Sequence, residues 1–296
     1  MRITEKDIKL LTFLNKYKVL YAKDAKGIYG KGDYSYKRLK QLEAEKYIRK
    51  IDWYKVKIDV NGTKLLREIG YDYNYVCRRK DYQSRVEEIS KIAGMTLGSG
   101  IGFIASWDLK DKMVFTDKGR KYIGELNYNN KNYLAYYISK RKKQSYIGQI
   151  INDINKAVDY QNIIVFSEEF SKINRRTKFF MLGKDVVLII NPTNENLYRM
   201  RLFQEKDIYE IIEKIYKGKD ILLSNWKKAD YMTEDRQYII FMPFIDTEKL
   251  HRLNIFYKNN KEIYRKIDIL TLKENVKKIN GILVNKTNII EIDTLI

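Results

Sequence analysis

The sequence predicts an α+β protein in two parts: a small basic head of helices with one hairpin, then an α/β sandwich with a mixed sheet. Three observations carry this. Residues 1–70 string together short amphipathic helical runs and one alternating pair, and residues 101–192 hold alternating and continuous apolar runs around one long amphipathic segment. Charge is uneven as well. Residues 1–80 hold 21 Lys or Arg against 10 Asp or Glu, a net of +11, while the other 216 residues carry +9. Positive charge is thus about three times denser in the head, as phosphate contacts require.

The head can be justified element by element. In ITEKDIKLLTFLNKY, Ile8, Leu11, Phe13, Leu14 and Tyr17 share roughly one helical face. Thr4 is placed to cap this helix, and Glu5 and Asp7 suit the positive end of its dipole. VLYAKDAKGIYG is a second short run, closed by Gly30. In YSYKRLKQLEAEKYIRKI the spacing turns Tyr36, Leu39, Leu42 and Ile48 inward and leaves Tyr34, Ser35, Lys37, Arg38, Lys40 and Gln41 outward. IDWYKVKIDVNG alternates like a two-stranded wing, and NGTKLLREIG closes as a short helix. Three helices, a hairpin and a closing helix are the plan of a winged helix-turn-helix, predicted over residues 1–75.

That plan implies double-stranded DNA as partner. Tyr34, Ser35, Tyr36, Lys37, Arg38, Lys40 and Gln41 would face the major groove, with Arg or Lys donating to guanine and Gln41 pairing with adenine. Lys55 and Lys57 on the wing would hold phosphates. Arg78 and Arg79, in the polar aromatic stretch YDYNYVCRRKDY, would track the backbone beside them.

Composition excludes other classes. The net charge of +20 favours polyanions, although a bias to Ile, Lys, Asn and Tyr accounts for part of the Lys excess. With 44% hydrophobic residues, 2 Pro and 15 Gly, the chain reads as globular. One cysteine, Cys77, leaves no internal disulfide, and Cys77 with His251 cannot complete a zinc site. A lone His also excludes a His-x-His nicking centre, and His251 sits in the amphipathic run DTEKLHRLNIFY. No Walker loop occurs, and Gly98, Gly100 and Gly102 in GMTLGSGIGF read as a connector rather than a nucleotide loop. No cofactor is expected. Neither a signal peptide nor an apolar run near the roughly 20 residues of a membrane span is visible, so a cytoplasmic protein without a membrane partner is expected.

Residues 76–296 read as the second domain. A helix is predicted over YQSRVEEISKIAGM, then strands at 101–106, 112–116, 120–128 and 132–139, the last two forming a hairpin about NNKN. QSYIGQIINDINKAVDY is a helix with Ile147, Ile150, Ile151, Ile154 and Val158 in register, followed by buried strands at NIIVFS and DVVLIINP. Beyond residue 193, LFQEKDIYEIIEKIYKG and DTEKLHRLNIFYKNN read as helices. RQYIIFMPFI, YRKIDILTL and TNIIEIDTL read as strands.

Over residues 1–190 this order, with a wing ending NGTKLLREIG, resembles the plasmid replication-relaxation family, which joins a winged helix to a core like that of PD-(D/E)xK nucleases. In active members a Pro-Asp opens the second core strand and a Glu lies near the end of the next, together holding a divalent metal. Here Asp117 stands for the first carboxylate without its Pro, and Ser139 falls where the Glu belongs. Asp117 and Glu125 share parity, but on a regular strand they would stand about 27 Å apart. The resemblance therefore implies a degenerate nuclease core with no metal. Lys140, Arg141, Lys142 and Lys143 would instead make a second phosphate contact. The expectation is a sequence-specific DNA-binding protein of a plasmid, phage or mobile element, acting in transcription control, replication initiation or transfer-origin recognition. A metal-dependent nicking endonuclease or relaxase is the alternative, and a module recruiting replication or partition machinery is the second. A homodimer and replication, partition or transfer proteins are the further partners considered.

Overall fold

The computed structural model describes residues 2–30, 32–72, 80–109, 120–173, 182–259, 266–283 and 287–293. Cys77, Arg78, Arg79, Asp117 and the strand expected at 112–116 lie outside the described residues. The chain forms an α+β structure of two compact units, Met1–Thr116 with Ile123–Glu125, and Asp117–Tyr122 with Leu126–Ile296.

The first unit opens with α1 (Glu5–Tyr17), capped as expected. Thr4 accepts the Asp7 N–H while Asp7 accepts the Thr4 N–H, so two otherwise unpaired helix-end donors are satisfied reciprocally. Next come β1 (Leu20–Tyr21), a 3₁₀ turn (Ala22–Ala25) and α2 (Lys26–Tyr29), stopped by Gly30 at φ +97°. α3 (Tyr34–Ala44) leads into the hairpin of β2 (Ile48–Asp52) and β3 (Lys55–Ile58). β3 pairs antiparallel with both β1 and β2, giving the order β1-β3-β2. α4 (Val60–Glu68) packs so close to the start of β2 that a Cβ on Gly62 would lie 2.2 Å from the Tyr47 carbonyl. Leu10, Leu11, Leu14, Leu20, Leu42, Ile48 and Leu66 are fully buried and form the core.

This unit runs past residue 75. α5 (Lys80–Thr96) adds Ile89 and Ile92 to the core, and its Ser90 hydroxyl donates to the Tyr17 carbonyl at the end of α1. β4 (Gly102–Ala105) follows, and the Ser106 N–H donates to Ile123 O.

The second unit carries two sheets. β5 (Gly124–Tyr128), which belongs to this unit from Leu126 onward, and β6 (Lys131–Ile138) join through Asn129 and Asn130, both at positive φ. This is the two-residue turn whose twist matches a hairpin, and Asn tolerates it. α6 (Gln144–Lys156) buries Ile147, Ile150, Ile151 and Ile154 but ends before Val158, which is exposed. β7 (Asn162–Ser167) lies parallel to β6, and β8 (Val186–Ile190) parallel to β7. Their near-continuous apolar sequence follows from burial of both sheet faces.

The remainder departs from expectation: strands at Ile221–Leu223 and Tyr231–Thr233 and a helix at Lys273–Ile282 were not expected, and two expected elements are divided. The helix expected over 202–218 is two: α7 (Asn194–Glu205) stops at extended Lys206, and Asp207 caps α8 (Ile208–Ile215). After β9 (Ile221–Leu223) and β10 (Tyr231–Thr233), the expected strand RQYIIFMPFI divides into β11 (Tyr238–Phe241) and β12 (Ile245–Asp246). Pro243 between them has no N–H for a ladder, and the chain changes sheets there. β12 pairs with β8, so within this unit the first sheet runs β12-β8-β7-β6-β5. α9 (Thr247–Asn259), β13 (Ile267–Thr271), α10 (Lys273–Ile282) and β14 (Asn288–Glu291) complete the chain. The second sheet has the order β14-β13-β11-β10-β9, its first three strands parallel. Among the described residues no helix is long and apolar enough to cross a membrane.

Candidate nucleic-acid interface

α3 is amphipathic, but its faces are not divided as the spacing suggested. Tyr34, Lys37, Lys40 and Gln41 are exposed as expected, and so is Tyr36, which the pattern had turned inward. Arg38 and Ser35 are buried instead. Arg38 is 7% exposed, its Nε 2.9 Å from Asp7 Oδ1 and its Nη2 donating to Asp7 Oδ2 and to the Arg2 carbonyl at 2.8 Å. Burial alone would raise the Asp7 carboxyl. Hydrogen bonds from Arg38, Thr4 and Tyr29 outweigh that and hold it at about 2. The guanidinium is thus committed to the fold and cannot reach a guanine. Ser35 packs at the helix start with its hydroxyl toward the Gly32 carbonyl, 3.4 Å away.

Gln41 is only partly available. Its amide oxygen accepts from Arg38 Nη1 at 3.0 Å, which leaves the NH₂ to donate outward; a bidentate contact to adenine would need the oxygen released. Lys37 and Lys40 have no ion pair among the described residues, so their charge is open to an anion. The Lys26 ammonium lies 5.8 Å from the centre of the Tyr36 ring, and Tyr34 meets Tyr29 edge-on.

The hairpin also differs from its sequence reading. The Lys55 ammonium sits 3.4 Å from Asp52 and 3.6 Å from Glu87 of α5, over the Tyr21 ring. Burial pulls its pKa down, but Glu87, Tyr21 and Asp52 more than reverse this. Lys55 is therefore a structural cation rather than a free phosphate ligand. Lys57 is half-buried and lies directly across the ladder from Arg49, a like-charge pair that disfavours itself unless an anion is near. Burial, and then Arg49, lower the Lys57 pKa. Arg49 pairs weakly with Asp59 at 3.9 Å.

The most exposed feature was not singled out from sequence. Trp53 is 89% exposed and Tyr54 73%, with Ile51 beside them at the hairpin tip. Asp52 accepts the Tyr54 N–H at 2.8 Å, folding the turn so that both rings project. The available signal was a Trp-Tyr pair at the break between two alternating runs, where polar turn residues are the rule.

Lys140, Arg141, Lys142 and Lys143 belong to the second unit, in the turn from β6 to α6. Lys140 N donates to Glu168 Oε2 at 2.9 Å, and the Lys142 ammonium stands 4.3 Å from the centre of the Tyr146 ring. Lys140, Arg141 and Lys143 are exposed. Ser139, at the position expected for a metal-binding Glu, lies just past the end of β6, and Glu125 is half-buried on β5. Glu168, one strand over, also accepts from the Tyr137 hydroxyl at 2.7 Å, which makes it a turn anchor. Among the described residues no group of three or more His, Cys, Asp or Glu is arranged to hold a metal.

No protein-family model, curated protein or solved structure matches the chain.

Proposed function

We propose that this chain is a sequence-specific double-stranded DNA-binding protein of a plasmid, phage or other mobile element. It would control transcription, start replication or recognise a transfer origin. The reading takes the first unit as a winged helix-turn-helix, in keeping with its helix order and the β1-β3-β2 sheet. The element order α5, β4, β5, β6, α6, β7 is in keeping with a PD-(D/E)xK-like core, as the resemblance to the replication-relaxation family implies.

One observation carries the reading: the outward face of α3. Tyr34, Tyr36, Lys37, Lys40 and Gln41 stand exposed there on a helix whose other side is anchored by the Arg38–Asp7 pair. Two ammonium groups with no ion pair among the described residues, two aromatic rings and an amide donor on one helix suit phosphates, thymine methyl groups and base-edge acceptors. Arg49, Lys57 and the Trp53–Tyr54 tip would extend the contact onto backbone and minor groove.

Fluorescence anisotropy on labelled duplexes tiled across the gene's own neighbourhood tests this. One duplex should bind at least about 10³-fold tighter than scrambled DNA of the same length. Equal affinity for all duplexes would sink the specific reading, and no binding at low salt would sink DNA binding altogether. A nicking activity has no comparable support among the described residues. Incubation of supercoiled plasmid with Mg²⁺ or Mn²⁺ tests it directly.

A further inference from the structure

The second unit contains a cavity of about 250 Å³ between the first sheet and strands β10 and β11. Tyr128 and Tyr133 line it from β5 and β6, Tyr231 and Phe241 from β10 and β11, and Asp246 and Lys249 from the start of α9. Its polar groups are unevenly satisfied. Lys249 is taken up by Asp230, with N···O distances of 2.7 and 2.9 Å. Asp246, 8% exposed, caps α9 through Oδ1 alone, which accepts the N–H groups of Glu248 and Lys249 at 3.1 and 3.2 Å and that of Val187 at 3.4 Å. Its Oδ2 takes no hydrogen bond among the described residues. Tyr128 and Tyr133 are 8% and 5% exposed, and no described group hydrogen-bonds either hydroxyl.

Although their residues are mostly buried, none of these three atoms is sealed from solvent, so each remains open to a partner that enters from outside the protein. The Asp230–Lys249 pair is neutral, so the unbalanced charge is the carboxylate of Asp246. Aromatic and aliphatic side chains share most of the rest of the wall. Phe203 meets Phe241 and Phe244 edge-on at 5.5 and 5.9 Å, making one end apolar. A carboxylate oxygen and two tyrosine hydroxyls amid aromatic rings favour a cation over an anion or a neutral acceptor.

We infer that this cavity binds a small organic cation, an arylalkyl ammonium compound. Its ammonium would sit against Asp246 Oδ2 and the Tyr128 and Tyr133 hydroxyls, with its ring toward Phe203, Phe241 and Phe244. Burial pushes the Asp246 carboxyl up despite its backbone donors and Lys249, and a bound cation would favour its ionised form. The site is independent of the DNA-binding reading and would stand if that reading fell.

Isothermal titration of the full chain with phenethylamine, beside its neutral and anionic counterparts phenylethanol and phenylpropionate, tests the inference. Saturable binding of phenethylamine alone is expected. Asp246→Asn should weaken it at least about tenfold while keeping the α9 cap, since Asn caps helices as well as Asp does. Tyr133→Phe should weaken it several-fold, with thermal melting showing both variants folded. Absence of phenethylamine binding at about 10 mM, well above a weak millimolar constant, would overturn the inference. So would equal binding of phenylethanol, or affinity unchanged in folded Asp246→Asn.

Discussion

The guanidinium of Arg38 lies against the carboxylate of Asp7, Nε 2.9 Å from Oδ1, and ties the middle of α3 to the first turn of α1. Neither side chain is more than 8% exposed. Removing one partner strands a buried charge, which costs about 3–5 kcal/mol. Arg38→Ala is therefore expected to lower the melting transition of the first unit strongly, and with it any DNA binding. An unchanged melting curve for Arg38→Ala would disprove the structural role.

The same pair predicts a pH dependence. The Asp7 carboxyl is held at about 2, below its ordinary value of 3.8. A depressed acid binds its proton more weakly in the folded state. Its contribution is therefore complete above about pH 4 and is lost as pH falls toward 2. Wild-type melting should drop through that window more steeply than that of Asp7→Asn, which starts lower. Parallel curves would show that Asp7 does not titrate as described.

The outward lysines should act on binding alone. Lys37→Ala with Lys40→Ala leaves the core untouched, so melting should stay within about 0.5 kcal/mol of wild type. If both residues meet phosphates, affinity should fall and the slope of log affinity against log salt should flatten by about 2. An unchanged slope would place both lysines off the backbone.

Trp53 offers a direct optical test. It is the most exposed of the three tryptophans, so iodide should quench it readily in the free protein. Duplex DNA should shield it, and Trp53→Ala should weaken binding without altering the melting curve. Full affinity in Trp53→Ala would remove the hairpin tip from the interface.

Two glycines form a matched pair. At Gly62 a Cβ would meet the Tyr47 carbonyl at 2.2 Å, and Gly62→Ala should destabilise by about 1–3 kcal/mol. At Gly148, within α6, a Cβ meets nothing within 4 Å, and Gly148→Ala should stabilise by about 0.5–1 kcal/mol. The opposite ranking in denaturant melts would contradict the packing of α4.

Much of the fold was legible because its signals are local. The Thr4 cap, the Gly30 stop, the Asn129–Asn130 turn and the continuous apolar run of β7 depend on near neighbours in sequence. The candidate site was only half legible. Lys37 and Lys40 emerged from helical spacing, whereas Arg38 occupies a similarly polar-looking position and is buried. Spacing cannot see a partner 31 residues away, and a buried Arg matched to an Asp reads as a surface residue. Lys55 was misread for the same reason, since Glu87 comes from α5. Trp53 was passed over because apolar residues in strand patterns are ordinarily read as core.

The sequence by itself determined most of the element order up to β8, the basic head and the apolar patterns of the principal strands. These follow from backbone propensity and apolar period, which act over a few residues. Only the tertiary structure decided which polar groups are spent inside. It paired Arg38 with Asp7, tied Lys55 to Glu87, sent β11 and β12 to different sheets at Pro243, and left Asp246 facing a cavity. The physical reason is that a charge's fate depends on distant groups brought within a few ångströms, and burial makes those encounters decisive.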